Sequence, residues 1–259
     1  MVRTLSTTLF ALALAAPLAS PCSAQAAAQS LADRVAAAPG GDVRFTFAAR
    51  DGVCGNGDNI TVSHGRRDGD VWESDCEPGP VHVLLRRDDR SVTGLKTFVG
   101  GRWKEGARGT DLGDVAPQAA ADYLLGLAKR LPGGKGEDAV FPATLARDVA
   151  TWPALLRLAR DEEAPSKVRQ SAIFWLGQAA GEQATRGLED VVASDTTDRE
   201  LRESAVFALS RRPNDEGVPA LIKLARSDRD PKIRRTALFW LGRSEDPRAL
   251  ALFEELLSR

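Results

Sequence analysis

The sequence predicts an α+β protein, in which a C-terminal α-solenoid of about four helical hairpins follows a small antiparallel β domain. Three observations lead there. A small residue, an aliphatic residue and a phenylalanine stand in a row four times, at Ala139-Val140-Phe141, Ala172-Ile173-Phe174, Ala205-Val206-Phe207 and Ala237-Leu238-Phe239, in steps of 33, 33 and 32 residues. A fixed period of that length marks stacked units, each covering its neighbour's apolar face. Upstream, Val43, Phe45 and Phe47 alternate with Arg44 and Thr46, and Val81, Val83 and Leu85 alternate with His82 and Leu84, the period of two that belongs to half-buried strands. A glycine-rich, charged passage from Gly106 to Asp114 separates the two textures.

Residues 1–26 read as an export signal. Arg3 supplies a positive charge, Leu9 to Leu18 a short apolar run, and Ala24-Gln25-Ala26 an A-x-A cleavage site;. The run is too short to span a bilayer. Pro21 before Cys22 disfavours a lipoprotein anchor. The expected location is therefore periplasmic or secreted, with no membrane span in the mature chain. Removing 26 of 259 residues leaves 34 basic and 36 acidic side chains, a near-balance that gives nucleic acid or an anionic membrane no electrostatic attraction. Only Cys54 and Cys76 then remain, and two cysteines in an exported chain predict one disulfide.

Residues 40–104 read as the β domain. Besides the two alternating segments, Arg87 to Ser91 is a polar turn leading into a strand from Val92 to Val99, and Asn59 to Ser63 offers another strand;. Asp51 to Asn59 holds Asp51, Asn56, Asp58 and Asn59 among glycines, but lacks the alternate-position oxygens and closing glutamate of a calcium loop;. It reads as turn chemistry. Cys54, His64, Cys76 and His82 match no common zinc spacing, and the cysteines are accounted for by the bridge. Residues 118–131, with Tyr123, Leu124, Leu125 and Leu127, read as a linking or capping helix, the capping role being to cover the open first face of the array;.

Residues 138–259 carry the repeats. Val168-Arg169, Leu201-Arg202 and Ile233-Arg234 open three units, and Trp175-Leu176-Gly177, Ala208-Leu209-Ser210 and Trp240-Leu241-Gly242 close their first helices. Val168, Ala172, Trp175 and Leu176 fall at i, i+4, i+7 and i+8, on one face of a helix. Asn214, Asp246 and Pro247 are start signals for second helices.

With its aliphatic-Arg opening, the Ala four residues after that aliphatic residue, and the Leu-Gly ending, this region resembles the HEAT-like repeats of the phycobilisome-lyase type, an armadillo-like α-solenoid. The first unit departs from the pattern, with Lys135 at the opening and Pro142-Ala143 in place of Trp-Leu. The resemblance implies a solenoid that most often binds other proteins, and in some members a lyase that attaches a bilin.

Two repeated sets are candidates for function. Arg169, Arg202 and Arg234 recur after the opening aliphatic residue, and Glu162, Asp195 and Asp228 near the end of the preceding unit. Compensated charge predicts an inter-repeat ladder in preference to a basic stripe. Phe141, Phe174, Phe207 and Phe239 lie beyond the edge of the apolar arc, and are either inter-repeat core or an exposed interaction ridge. No catalytic, cofactor-binding or metal motif stands out. The expected function is that of an exported, non-enzymatic interaction module or scaffold for a protein or peptide. The alternative is a lyase-like enzyme or small-ligand protein with its site between β domain and solenoid.

Overall fold

The structure, a computed structural model, describes residues 29–62, 76–103, 108–179 and 181–258. The expected export signal lies outside these residues, as do His64 and Ser63. The described chain opens with a helix the sequence pattern had not marked, α1 (Leu31–Ala37). The Ser30 hydroxyl caps it by accepting from the Asp33 N–H at 3.2 Å;. Leu31 and Val35, one turn apart, are its buried face.

Four strands form the main sheet. β1 (Val43–Phe47) lies beside the first helix in sequence; β2 (Val53–Asn56), β3 (Asn59–Val62) and β4 (Glu77–Pro78) form a separate three-stranded sheet; β5 (Val81–Asp88) and β6 (Ser91–Val99) return to the main one. β5 pairs antiparallel with β1, Phe45 opposite Val83, and with β6, Val83 opposite Thr97. Period-two patterning sets this register, because Val43, Phe45, Phe47, Val81, Val83 and Leu85 then share one buried face;. The β5–β6 turn places Asp89 at φ +52°, a left-handed position that aspartate tolerates;.

The charged passage before Asp114 turns out to contain β7 (Thr110–Asp114), paired parallel to β1, so the otherwise antiparallel β region has one parallel member. Thr-Asp-Leu-Gly-Asp has little intrinsic strand preference. It is held by its partner: the Thr110 N–H donates to the Asp42 carbonyl at 2.9 Å, the Val115 N–H to that of Thr46 at 2.8 Å, and Arg44 pairs with Asp111 at 3.0 Å. Likewise Asp51 to Asn59, read as turns throughout, contains β2. Gly57 at φ +72° opens the two-residue turn of the β2–β3 hairpin;. Cys54 on β2 and Cys76 just before β4 are joined by a disulfide, with Cα atoms 5.2 Å apart.

Helix α2 (Pro117–Ala128) is apolar nearly all round, with Ala120, Ala121, Tyr123, Leu124, Leu125, Leu127 and Ala128 buried, the pattern of a helix covered on several sides. Tyr123 meets Phe45 of the sheet edge-on at 6.2 Å between ring centres. The opposite side of α2 packs on the first helical unit. A single apolar cluster therefore runs from Leu31 through the sheet and α2 to Leu252, and the two halves share one core.

Four hairpins follow. In the first, Pro142 and the glycine-rich start leave only a 3-10 turn (Lys135–Ala139) and the one-turn helix α3 (Val140–Ala143), followed by α4 (Trp152–Arg160);. The others pair α5 (Ser166–Gln178) with α6 (Glu182–Ala193), α7 (Arg199–Ser210) with α8 (Asn214–Ser227), and α9 (Pro231–Leu241) with α10 (Pro247–Leu257). First helices pack on first helices and second on second, the arrangement of a solenoid. Each of α4, α6 and α8 packs more closely on the first helix of the next unit than α6, α8 or α10 packs on the first helix of its own. No helix follows α10 among the described residues, and Leu250, Leu256 and Leu257 stay exposed although Ala249 and Leu252 are buried.

Candidate functional site

The four recurring phenylalanines do not share one environment. Phe141 stacks on Trp175 of the next unit at 4.8 Å, and Phe207 meets Trp240 of the next unit at 5.0 Å with the rings tilted by 48°. Both are half-buried. Each tryptophan also meets the phenylalanine before it edge-on, Phe174 at 5.0 Å and Phe239 at 5.1 Å. These two are the exposed members, at 40% and 57%. The reason is one step along the array: where a tryptophan would cover Phe174, the chain has Ala208, and after Phe239 no unit follows among the described residues. Ala208 is dictated by packing. A Cβ on Gly177 would come within 2.9 Å of the Ala208 Cβ, so these two helices approach too closely for an indole there. Core stacking and exposed ridge are thus both realised, at alternate positions. Arg243 lies 6.0 Å over the Phe239 ring.

The repeated arginines lie between units. The Arg169 Nε donates to the Ala159 carbonyl at 3.1 Å and the Arg202 Nε to that of Val192 at 2.6 Å, in both cases an otherwise unpaired carbonyl at the end of a preceding second helix;. In the longer α8 the Asp228 N–H occupies the equivalent Leu224 carbonyl, and Arg234 turns to the Asp228 carbonyl at 2.8 Å. The acids lie ahead of the arginines. Arg202 pairs with Asp228 at 3.0 Å and Asp230 at 3.9 Å, and Arg169 reaches Asp198 at 3.7 Å. Asp198 and Asp230 also cap α7 and α9. Asp195 stands outside this series; it pairs with exposed Arg229 at 3.1 Å.

Sequence period did not reveal Arg212, because it occurs in a single unit. Its guanidinium is buried and donates to the Thr185 hydroxyl at 2.8 Å, the Gly181 carbonyl at 3.0 Å, the Ala179 carbonyl and the Glu216 carboxylate at 2.7 Å. Thr185 and Arg212 together hold the Glu216 carboxyl below its usual range. This cluster fastens the second and third hairpins. The second-helix face is likewise tied by ion pairs, Arg160 to Asp190 at 3.0 Å, Lys223 to Glu189 at 3.3 Å and Arg226 to Glu255 at 2.5 Å.

Where β domain and array meet, a cleft of about 360 Å³ is lined by Arg50, Thr144, Thr151, Trp152, Trp175 and Gln178. The Arg50 backbone N–H donates to the Leu145 carbonyl at 2.7 Å and its Nε to that of Thr144 at 3.0 Å. Among the described residues no histidine or carboxylate lines this cleft. His82 lies on the opposite face of the sheet, edge-on to Trp103 at 5.1 Å, with its Nδ1 3.1 Å from the Thr46 hydroxyl. Burial lowers its pKa, against smaller opposing effects of the Gly101 carbonyl, Asp114 and Asp111.

A family model described as HEAT repeats matches residues 192–259, from the end of α6 to the last hairpin. The helical C-terminal region carries HEAT-like repeats, of a kind that generally mediates protein–protein interaction. A search of curated proteins finds none that matches this chain.

Proposed function

We propose that this protein is an exported, non-enzymatic binding module that holds a protein or peptide partner on the first-helix face of its HEAT-like array. The observation that carries the reading is Phe174, exposed beside a stacked Trp175–Phe141 pair on a rigid helical support. Exposed aromatics on a preorganised surface are the residues around which interface energy concentrates. Both faces carry ion pairs between units, but among the described residues no second helix exposes an aromatic ring, Trp152 and Phe253 being half-buried. Export draws its support from the composition of residues 1–26 and from the Cys54–Cys76 bridge, which belongs to an oxidising compartment;.

The test is affinity capture from the native envelope fraction with wild type, Phe174→Asp and Lys223→Glu. Loss of a wild-type partner by at least tenfold in Phe174→Asp, with Lys223→Glu unaffected, is the expected result. Equal capture by Phe174→Asp, or loss confined to Lys223→Glu, contradicts the assignment of the face.

A further inference from the structure

The junction cleft combines a cation without an anion, two indoles and an opening to solvent. Arg50 is half-buried, and among the described residues only its Nε finds a hydrogen-bond partner, the Thr144 carbonyl at 3.0 Å. Among the described residues no carboxylate pairs with it. Most arginines of the array, Arg160, Arg169, Arg202 and Arg212 among them, do have acid partners. A partly desolvated guanidinium whose free nitrogens stay open to solvent is available to pair with an anion that enters the cleft. Its pKa is lowered by burial, with no acid acting to restore it. Trp152 and Trp175 both line the cleft, with Thr151 and Gln178 adding polar groups.

We propose that this cleft is a subsite for a carboxylate attached to an apolar side chain: the carboxylate pairs with the free edge of the Arg50 guanidinium, and the apolar group lies between Trp152 and Trp175. Guanidinium and carboxylate match in a planar, two-bond geometry, and indole walls suit an aromatic or aliphatic group. Trp175 is shared between this cleft and the Phe141–Phe174 cluster. A peptide crossing Phe174 therefore reaches Arg50 with its end or with an acidic side chain. This deepens the proposed binding function and rests on it for the identity of the ligand as a peptide; the carboxylate site itself is tested with small probes alone.

The experiment follows the indole N–H signals of Trp152 and Trp175 by NMR during titration of the whole protein with three probes. These are N-acetylphenylalanine, its amide, and N-acetyl-aspartyl-phenylalanine amide. N-acetylphenylalanine is expected to shift both signals and the plain amide to bind at least tenfold more weakly, the loss of a charge-assisted pair. Binding of the aspartyl amide at the strength of the free acid assigns a side-chain carboxylate; failure of that probe assigns a chain terminus. Arg50→Gln should reproduce the amide's loss with the free acid. Since the amide comparison uses wild type, a folding defect in Arg50→Gln does not blunt the test. Equal binding of acid and amide, or unmoved Trp152 and Trp175 signals with every carboxylate, overturns the proposal. A carboxylate effect without partner capture through Phe174 would instead leave the cleft and reject the larger function.

Discussion

Replacing Arg212 by alanine should be among the most damaging single changes in the array. The side chain is 3% exposed and bonds Thr185, Glu216 and the carbonyls of Ala179 and Gly181. Truncation leaves the Glu216 carboxylate without its cation and strands carbonyls at the end of α5. Breaking a buried pair of this kind costs about 3–5 kcal/mol, and each abandoned acceptor adds to it unless water enters. About 4 kcal/mol is a fair central value. Because a solenoid is stabilised mainly by nearest-neighbour contacts, the loss should fall on the junction between second and third hairpins. Urea unfolding, followed by far-UV circular dichroism, should show a lower midpoint and a smaller or split transition as the last two hairpins open first. Arg212→Lys, which keeps the charge but cannot span all partners, should recover only part. A loss below about 1 kcal/mol, the level of a surface ion pair, would refute the view that this residue fastens the two hairpins.

Three further outcomes follow from the packing. Burial lifts the Tyr123 phenol to a pKa of about 12, from an ordinary 10.0. The phenol is neutral in both folded and unfolded chains below pH 10; above it only the unfolded chain ionises freely, so roughly 2–3 kcal/mol is lost as pH climbs from 10 to 12. Tyr123→Phe should remove that part of the alkaline destabilisation in parallel urea titrations, and an unchanged slope would contradict it. Replacing Cys54 and Cys76 together by serine should cost about 3 kcal/mol by loop entropy, seen as a lower midpoint matched by the reduced wild type. Gly177→Ala should destabilise by about 1–2 kcal/mol despite alanine's helix preference, because the new methyl meets Ala208 at 2.9 Å; a rise in melting temperature would show the α5–α7 approach to be looser than described.

The fold class was legible because two periodicities were. A step of 33 residues between Phe141 and Phe174 can be read without any structure, and alternation in β1 and β5 fixes which faces are buried. What escaped lacked a pattern of its own. β7 is a strand through what it pairs with, and α1 has only Leu31 and Val35 for an apolar face. The phenylalanines were legible as a set but not one by one, since their exposure depends on what the next unit supplies, tryptophan after Phe141 and Phe207 but alanine after Phe174. Ala208 stood in the alignment of units; that Gly177 presses against it is a matter of helix approach. Arg212 has no counterpart to draw attention to it. The Arg50 cleft is assembled from the β domain and two separate hairpins, and no local spacing joins those residues.

The central claim is that the exposed aromatic face of the first helices, and not the face of the second helices, meets the partner. Photo-crosslinking residues placed singly at positions 174, 239, 186 and 223, in cells expressing the chain at native level, test it most directly. Adducts of one shared mass from 174 and 239, with none from 186 or 223, are the predicted result; adducts from 186 or 223 alone would contradict it.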